Sequence, residues 1–429
     1  MNFPRMFRIK QQFEGPTLHN IPAAVRDTIA GLHLADKVKA GQTVAITAGS
    51  RGIANIDRIT RAVVDELKAL GLRPFIVPTM GSHGEATAEG QGRILEHYGI
   101  TESTMGCPVK SSMEVVRIGE VKETPVFCDK NAWEADHIAV VARVKTHTDF
   151  DNEIESGLFK MMAIGLGKQH GAEHYHRAGH HYSYAEIFPS VGKVVLQKAH
   201  ILFGVGIVEN GYDETAKVQA LLPKDFWEGE KALLRESKVW MAKLPFERLD
   251  LLIVDELGKD ISGAGMDPNV IGRPSVQKAP EFPKVQRLFV RDVTPACDGN
   301  AIGVGMADFT TQRLMDKINY KAMHMNAITS GVSEAAKVPI AFQTDREAIQ
   351  VALGMIGLTP AEQAAVVRIK NTLLLTEMDV SEALLPLVKT NDRLSVVSGP
   401  AVLAFDGTGN LRPFCTTVPI LNCRSSGTP

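Results

Sequence analysis

Two rhythms of apolar residues run along the chain: short continuous apolar runs, and longer stretches with apolar positions three or four apart. Residues 43–47 read as a buried strand, followed by a polar turn over 48–55 and an amphipathic helix over 56–70. In that helix Ile59, Val63, Leu67 and Leu70 fall at helical spacing. Gly71 closes the helix, and 74–78 supplies a second apolar strand. Strand, helix, strand in that order predicts a parallel pair with a crossover helix. A third unit begins at Gly81, where Thr87 is placed to cap a helix running to 98, and 137–144 is another apolar strand.

The later half repeats this logic. Helical signals around 222–244 include Trp227 and Trp240, then come a strand at 249–254 and a glycine-rich loop over 258–272. Further strands are expected at 287–293, 339–342 and 366–369, with a helix near 309–318. The prediction is two α/β domains with mainly parallel sheets, residues 1–245 and 246–429, with the active site in the cleft between them. The length of 429 residues agrees, because it exceeds what one hydrophobic core usually serves.

Composition narrows the function classes. With 44% hydrophobic and 22% charged residues the chain is an ordinary globular one. The net charge of -2, with scattered basic residues, argues against a nucleic-acid partner. No stretch approaches the roughly 20 apolar residues of a membrane span, so a cytoplasmic protein is expected. The five cysteines, without a C-x-x-C pair, suggest neither a disulfide framework nor a cysteine zinc site.

Unusual polar residues follow the strands: Ser50 and Arg51 after the first, His83 after the second, Lys145 and His147 after the third. Ligands bind beyond the carboxyl ends of strands in open parallel sheets, so these loops should converge. Lys160 lies in a run, 154–164, whose later part is apolar on every face. It is either desolvated, which makes an amine nucleophilic, or it snorkels to solvent. Five of the thirteen histidines, His170, His174, His176, His180 and His181, crowd into twelve residues, a density that suits a metal as well as a solvated turn. His83 and His147 facing one cleft suit two-sided acid/base work. Gly165, Gly167, Lys168 and Gly171 partly resemble a phosphate loop, without Walker spacing. The loop 258–273, with Lys259, Asp260, Asp267, Asn269 and Arg273, suits a phosphate or carboxylate.

Taken together, the segment 143–150, Arg-Val-Lys-Thr-His-Thr-Asp-Phe, with 155–160, Glu-Ser-Gly-Leu-Phe-Lys, then Gly165 to Lys168 and Tyr175-His176, resembles the lactate racemase superfamily and its broader group of 2-hydroxyacid racemases and epimerases. The resemblance implies a nickel-pincer nucleotide, covalently held as a thioamide on Lys160, with nickel bound by the histidine sixteen residues later, His176. It places Ser50 and Ser156 beside the cofactor, His83 and His147 as the catalytic pair, and Arg51, Lys259 and Arg273 toward the substrate. It implies hydride transfer from C2 of a 2-hydroxy acid or sugar acid, cofactor-synthesis proteins acting in trans, and room for a homo-oligomer. Two departures point away from lactate itself. The loop 48–51 lacks the acidic residue of lactate racemases, and three more residues separate His147 from Lys160. A metal-dependent hydrolase built on the 170–181 histidines, and a nucleotide-binding protein without chemistry, remain the alternatives.

Overall fold

In the computed structural model, residues 2–49, 52–273 and 282–414 are described. Ser50 and Arg51 lie outside the described residues. The chain opens with strand β1 (Met6–Gln11), followed by β2 (Thr43–Ala48), β3 (Arg73–Pro78), a hairpin of β4 (Val115–Val121) and β5 (Thr124–Asp129), β6 (His137–Arg143), β7 (Ile201–Glu209) and β8 (Thr215–Leu221). A five-stranded sheet runs β3-β2-β6-β7-β8, parallel except for its last pair. Helices cover both of its faces, so its strands are apolar without alternation. The pleat still sorts them: on β6, Ile138, Val140 and Ala142 enter one core cluster, and Ala139 and Val141 the other.

The second sheet comprises β9 (Arg248–Leu257), β10 (Lys284–Val293), β11 (Phe309–Thr311), β12 (Ile340–Phe342), β13 (Val366–Ile369), β14 (Glu377–Ser381) and β15 (Leu394–Ala401), with β1 inserted between β14 and β15. Strands β12, β11, β10, β9 and β13 are parallel, and β14, β1 and β15 add antiparallel pairs. The architecture is two α/β units with mostly parallel sheets. Residues 6–11 pair with 377–381 in the second sheet, so a division at 245 alone does not describe how the strands are shared out.

The helix expected at 309–318 is instead a strand followed by a single turn, Gln312–Met315. Phe309, Thr310 and Thr311 are aromatic or β-branched and pair between β10 and β12, and the Thr311 hydroxyl caps the turn that follows. Other expectations agree with the fold: Ile56–Ala69 is the crossover helix, and Thr87 caps Ala88–His97. Cys107, Cys128 and Cys297 are buried thiols. Among the described residues no helix is long and apolar enough to cross a membrane.

Candidate active site

The loop after β6 is built to hold one imidazole. Lys145 and Ser156 exchange backbone hydrogen bonds of 2.9 and 3.2 Å, closing 145–156 on itself. The buried Glu155 accepts the His147 backbone N–H at 2.7 Å and pairs with Lys238 at 2.6 Å, tying the loop to the helix Phe226–Trp240. The His147 ring stacks on Phe150 at 4.3 Å and 26°. Its Nδ1 accepts the Asp149 backbone N–H at 3.0 Å.

Lys160 ends the first turn of a helix that begins at Leu158. Glu230, wholly buried, accepts the Phe159 N–H at 3.1 Å beneath that turn. A Cβ at Gly157 would come within 2.3 Å of the Glu230 carboxylate, so only glycine admits this approach. Burial pushes the Glu230 carboxyl up to about 8, although the N–H groups of Phe159 and Leu158 favour its ionised form. Lys160 Nζ lies 2.6 Å from His147 Nε2 and 3.4 Å from Ser156 Oγ. The chain then widens into a π-helical turn, Met161–Gly165, where a Cβ on Gly165 would meet Met161 and the Thr79 carbonyl oxygen beyond β3. Gly49, beyond β2, also lies against Met161. The lysine-bearing turn therefore lies against the carboxyl ends of the central strands.

Lys168, with φ 55°, breaks the helix Leu166–Tyr182 near its start. It is fully buried, bonded to the Pro78 carbonyl and paired with Asp129 at 3.0 Å. The phosphate-loop reading of Gly165 to Gly171 is thereby corrected, since its one cation is spent inside the fold.

His176 is half-buried on the same helix. Its Nδ1 donates to the Ala172 carbonyl at 2.7 Å, which leaves the Nε2 lone pair for a ligand. The ring stands edge-on to Tyr184 (5.8 Å, 86°) and Phe188 (5.7 Å, 90°). Burial, with the Lys160 and His180 charges, lowers its pKa to about 4, against the raising effect of the Ala172 hydrogen bond. Phe188 also lies 6.2 Å from His147, so one aromatic ring walls both imidazoles. The other histidines of the cluster disperse. His170 and His174 lie beside Phe127, His180 meets the Tyr184 hydroxyl at 3.2 Å, and His181 lies against Tyr182. Among the described residues no group of three or more His, Cys, Asp or Glu is placed to hold a metal ion, so the hydrolase reading lacks its ligand set.

His83 is half-buried in the loop after β3, held through its backbone: Gln91 Nε2 donates to the Gly81 and His83 carbonyls at 3.0 and 3.2 Å. The second unit reaches the site through Asn269, whose Nδ2 lies 3.4 Å from both Thr146 Oγ1 and the His147 carbonyl. Lys259 donates to the Gly263 carbonyl at 2.9 Å within its own loop. Arg273 is engaged within the second unit. It pairs with Asp308 at 2.5 Å and bonds the Met306 carbonyl at 2.7 Å, because Asp308, which also accepts the Leu288 N–H, offers it a partner inside the second unit. Sequence reasoning missed Glu230, although it shares the buried face of its helix with Phe226, Leu233, Leu234 and Ser237 at helical spacing. It also missed Gln91 and Phe188. A cavity of about 920 Å³ lined by Trp133, His137 and His200 opens at the amino ends of β6 and β7, away from the strand ends described above, and contains none of these groups.

The sequence matches no family model and no curated protein. Among solved structures, the lactate racemase apoprotein from Thermoanaerobacterium thermosaccharolyticum superposes with a TM-score of 0.50 over 81% of this chain and 91% of that one, at 14% identity. At that identity the likeness is one of fold.

Proposed function

We propose that the chain is a racemase or epimerase that inverts C2 of a 2-hydroxy acid or sugar acid with a nickel-pincer nucleotide held by Lys160 and His176. The observation that carries this reading is the arrangement of those two side chains. A half-buried lysine amine stands beside an imidazole, and a second imidazole sixteen residues on is held neutral with its Nε2 lone pair turned away from its own helix. The residues fit the group: an amine for covalent attachment, and one neutral nitrogen donor where the remaining donors belong to the cofactor. The fold shared with a lactate racemase apoprotein supports it further.

When bound, the nucleotide supplies the hydride acceptor and donor. The chain supplies proton transfer and orientation. His147, at Nε2, takes or returns the hydroxyl proton on one face, and His83, on the loop beyond β3, serves the other. Arg51, outside the described residues, is assigned to the substrate carboxylate. Ser50, equally outside them, and Ser156 line the cofactor, and Asn269 brings the second unit's loop, with Lys259, against the His147 loop. Phe150 and Phe188 keep water from the His147 ring.

The test is co-expression with cofactor-synthesis proteins, followed by nickel analysis, intact mass, and a racemisation screen over 2-hydroxy acids and aldonates. Retained nickel and an adduct on Lys160 are expected, both lost in Lys160→Ala. In His83→Ala or His147→Ala, turnover should be abolished with nickel retained. Full activity of Lys160→Ala refutes the reading.

A further inference from the structure

Lys160 and His176 lie on one helical segment, 158–182, and a straight α-helix would hold them apart. Sixteen residues span about 24 Å along a helix axis and end about 160° around it, on nearly the opposite face. In the fold the two side chains meet one wall instead. Lys160 Nζ is 2.6 Å from His147 Nε2, and the rings of His147 and His176 lie 6.2 and 5.7 Å from that of Phe188. The segment therefore departs from a straight course, first at the π-helical turn Met161–Gly165 and then at Lys168, where the backbone leaves the helical range at φ 55° and ψ -158°. That conformation is essentially reserved for glycine, and another residue keeps it only where its surroundings fix it.

Those surroundings come from β5. Asp129, its last residue, is wholly buried and pairs with Lys168 Nζ at 3.0 Å, while its Oδ1 accepts the Ala132 N–H at 2.8 Å, which fixes the carboxylate. The same ammonium bonds the carbonyl of Pro78, the last residue of β3, from which the His83 loop departs. Seven residues on, the hydroxyl of buried Tyr175 accepts the Phe127 N–H of β5 at 2.8 Å. The Tyr175 ring reaches back across the bend, so close that a Cβ on Gly167 or Gly171 would come within 2.9 or 2.7 Å of it. β5 thus grips the segment at Lys168 and again at Tyr175, immediately before His176. A buried ion pair is a poor source of net stability, because desolvation offsets the attraction; its best-attested use is to fix one arrangement.

We propose that β5 is a clamp that sets the reach of the cofactor site. Lys168, through Asp129, and Tyr175, through the Phe127 N–H, are positioning residues that turn the His176 helix so that its imidazole shares the Phe188 wall with the Lys160–His147 pair. This rests on Lys160 and His176 being the two points that hold the cofactor. Attachment needs Lys160 alone, whereas nickel retention needs the imidazole at the right distance, so the clamp governs the metal and not the covalent bond.

The first measurement uses the full chain expressed without cofactor-synthesis proteins and isotopically labelled in histidine and phenylalanine. In wild type, nuclear Overhauser contacts should join the His176 ring, identified by its loss in His176→Phe, to the Phe188 ring. The double variant Lys168→Met/Asp129→Asn removes the ion pair, leaves no buried charge unpaired and keeps an acceptor for the Ala132 N–H. Tyr175→Phe removes the other grip while keeping its ring, and decides the matter if the double variant does not fold. The ring contacts should be lost in the double variant and weakened in Tyr175→Phe, with far-ultraviolet circular dichroism unchanged. The second measurement uses protein co-expressed with the cofactor-synthesis proteins, and reads the Lys160 adduct by intact mass and nickel loss into excess EDTA. The adduct should persist in both variants, while nickel leaves at least about tenfold faster in the double variant and about fivefold faster in Tyr175→Phe. Folded variants that keep the ring contacts and the wild-type nickel rate overturn the proposal, as does loss of the adduct with unchanged contacts. The ring contacts need no cofactor, so the outcomes separate. Wild type without an adduct, and variants without the contacts, would remove the function and leave the clamp. A nickel-bearing adduct in wild type, with unaltered contacts in folded variants, would do the reverse.

Discussion

Replacing His176 by Phe separates its burial from any role toward a metal. In the unfolded chain its imidazole titrates near pH 6.5, whereas in the fold its pKa is lowered to about 4, chiefly by burial. Between those values the unfolded chain binds a proton that the fold refuses, so stability falls as the pH drops from 6.5 through 4. At pH 4.5 the cost is about 2.5 kcal/mol, an upper bound because part of the ring is accessible, and at pH 7 it is close to zero. Phe keeps a ring against Tyr184 and Phe188 and loses one hydrogen bond, worth about 1 kcal/mol. The cofactor-free variant should therefore be less stable than wild type at pH 7 and more stable at pH 4.5. The relative change in melting temperature should be roughly 5–10 °C. Trp133, Trp227 and Trp240 are the chain's three tryptophans and all precede β9, so urea unfolding followed by their fluorescence reports on the unit that contains His176. A wild-type-minus-variant difference that stays constant from pH 7 to 4.5 refutes the burial argument.

Glu230 works in the opposite sense. Its carboxyl sits at about 8 in the fold and near 4.3 when unfolded, so wild-type stability falls as pH rises between them. Glu230→Gln should remove that slope, and melting curves at pH 5 and 8 should show the variant gaining several kcal/mol on wild type at the higher pH. Phe188→Ala should cost about 3–5 kcal/mol in urea unfolding, since the ring is 2% exposed, and should lower turnover of the loaded enzyme by loosening both His147 and His176. Tyr184→Phe deletes the hydroxyl that donates to the Ser330 carbonyl across the two units at 3.1 Å; a loss of about 1 kcal/mol is expected, with faster amide exchange near 330.

Local pattern carried much of the first unit. Strands β2, β3 and β6 are covered on both faces, which leaves uninterrupted apolar runs that any periodicity reading finds. The ends of those runs led to the loops holding His83 and His147, whereas the pairing of Lys160 with His176 came from the family resemblance, because spacing alone does not choose His176 among the five clustered histidines. Strand β1 was not legible as part of the far sheet: it pairs with residues more than 360 positions away, and nothing in 6–11 names the partner. Phe309–Thr311 became a strand because neighbours on both sides offered it a ladder. Which side of Lys160 faces His147, that Glu230 lies beneath its helix, and that Arg273 is taken by Asp308 depend on contacts between distant segments. Sequence alone determined the local elements and the residue types at the strand ends, since periodicity and turn chemistry act within a few residues. Only the tertiary structure decided which side chains meet, because burial and hydrogen bonding are settled by whatever the remaining chain packs against them.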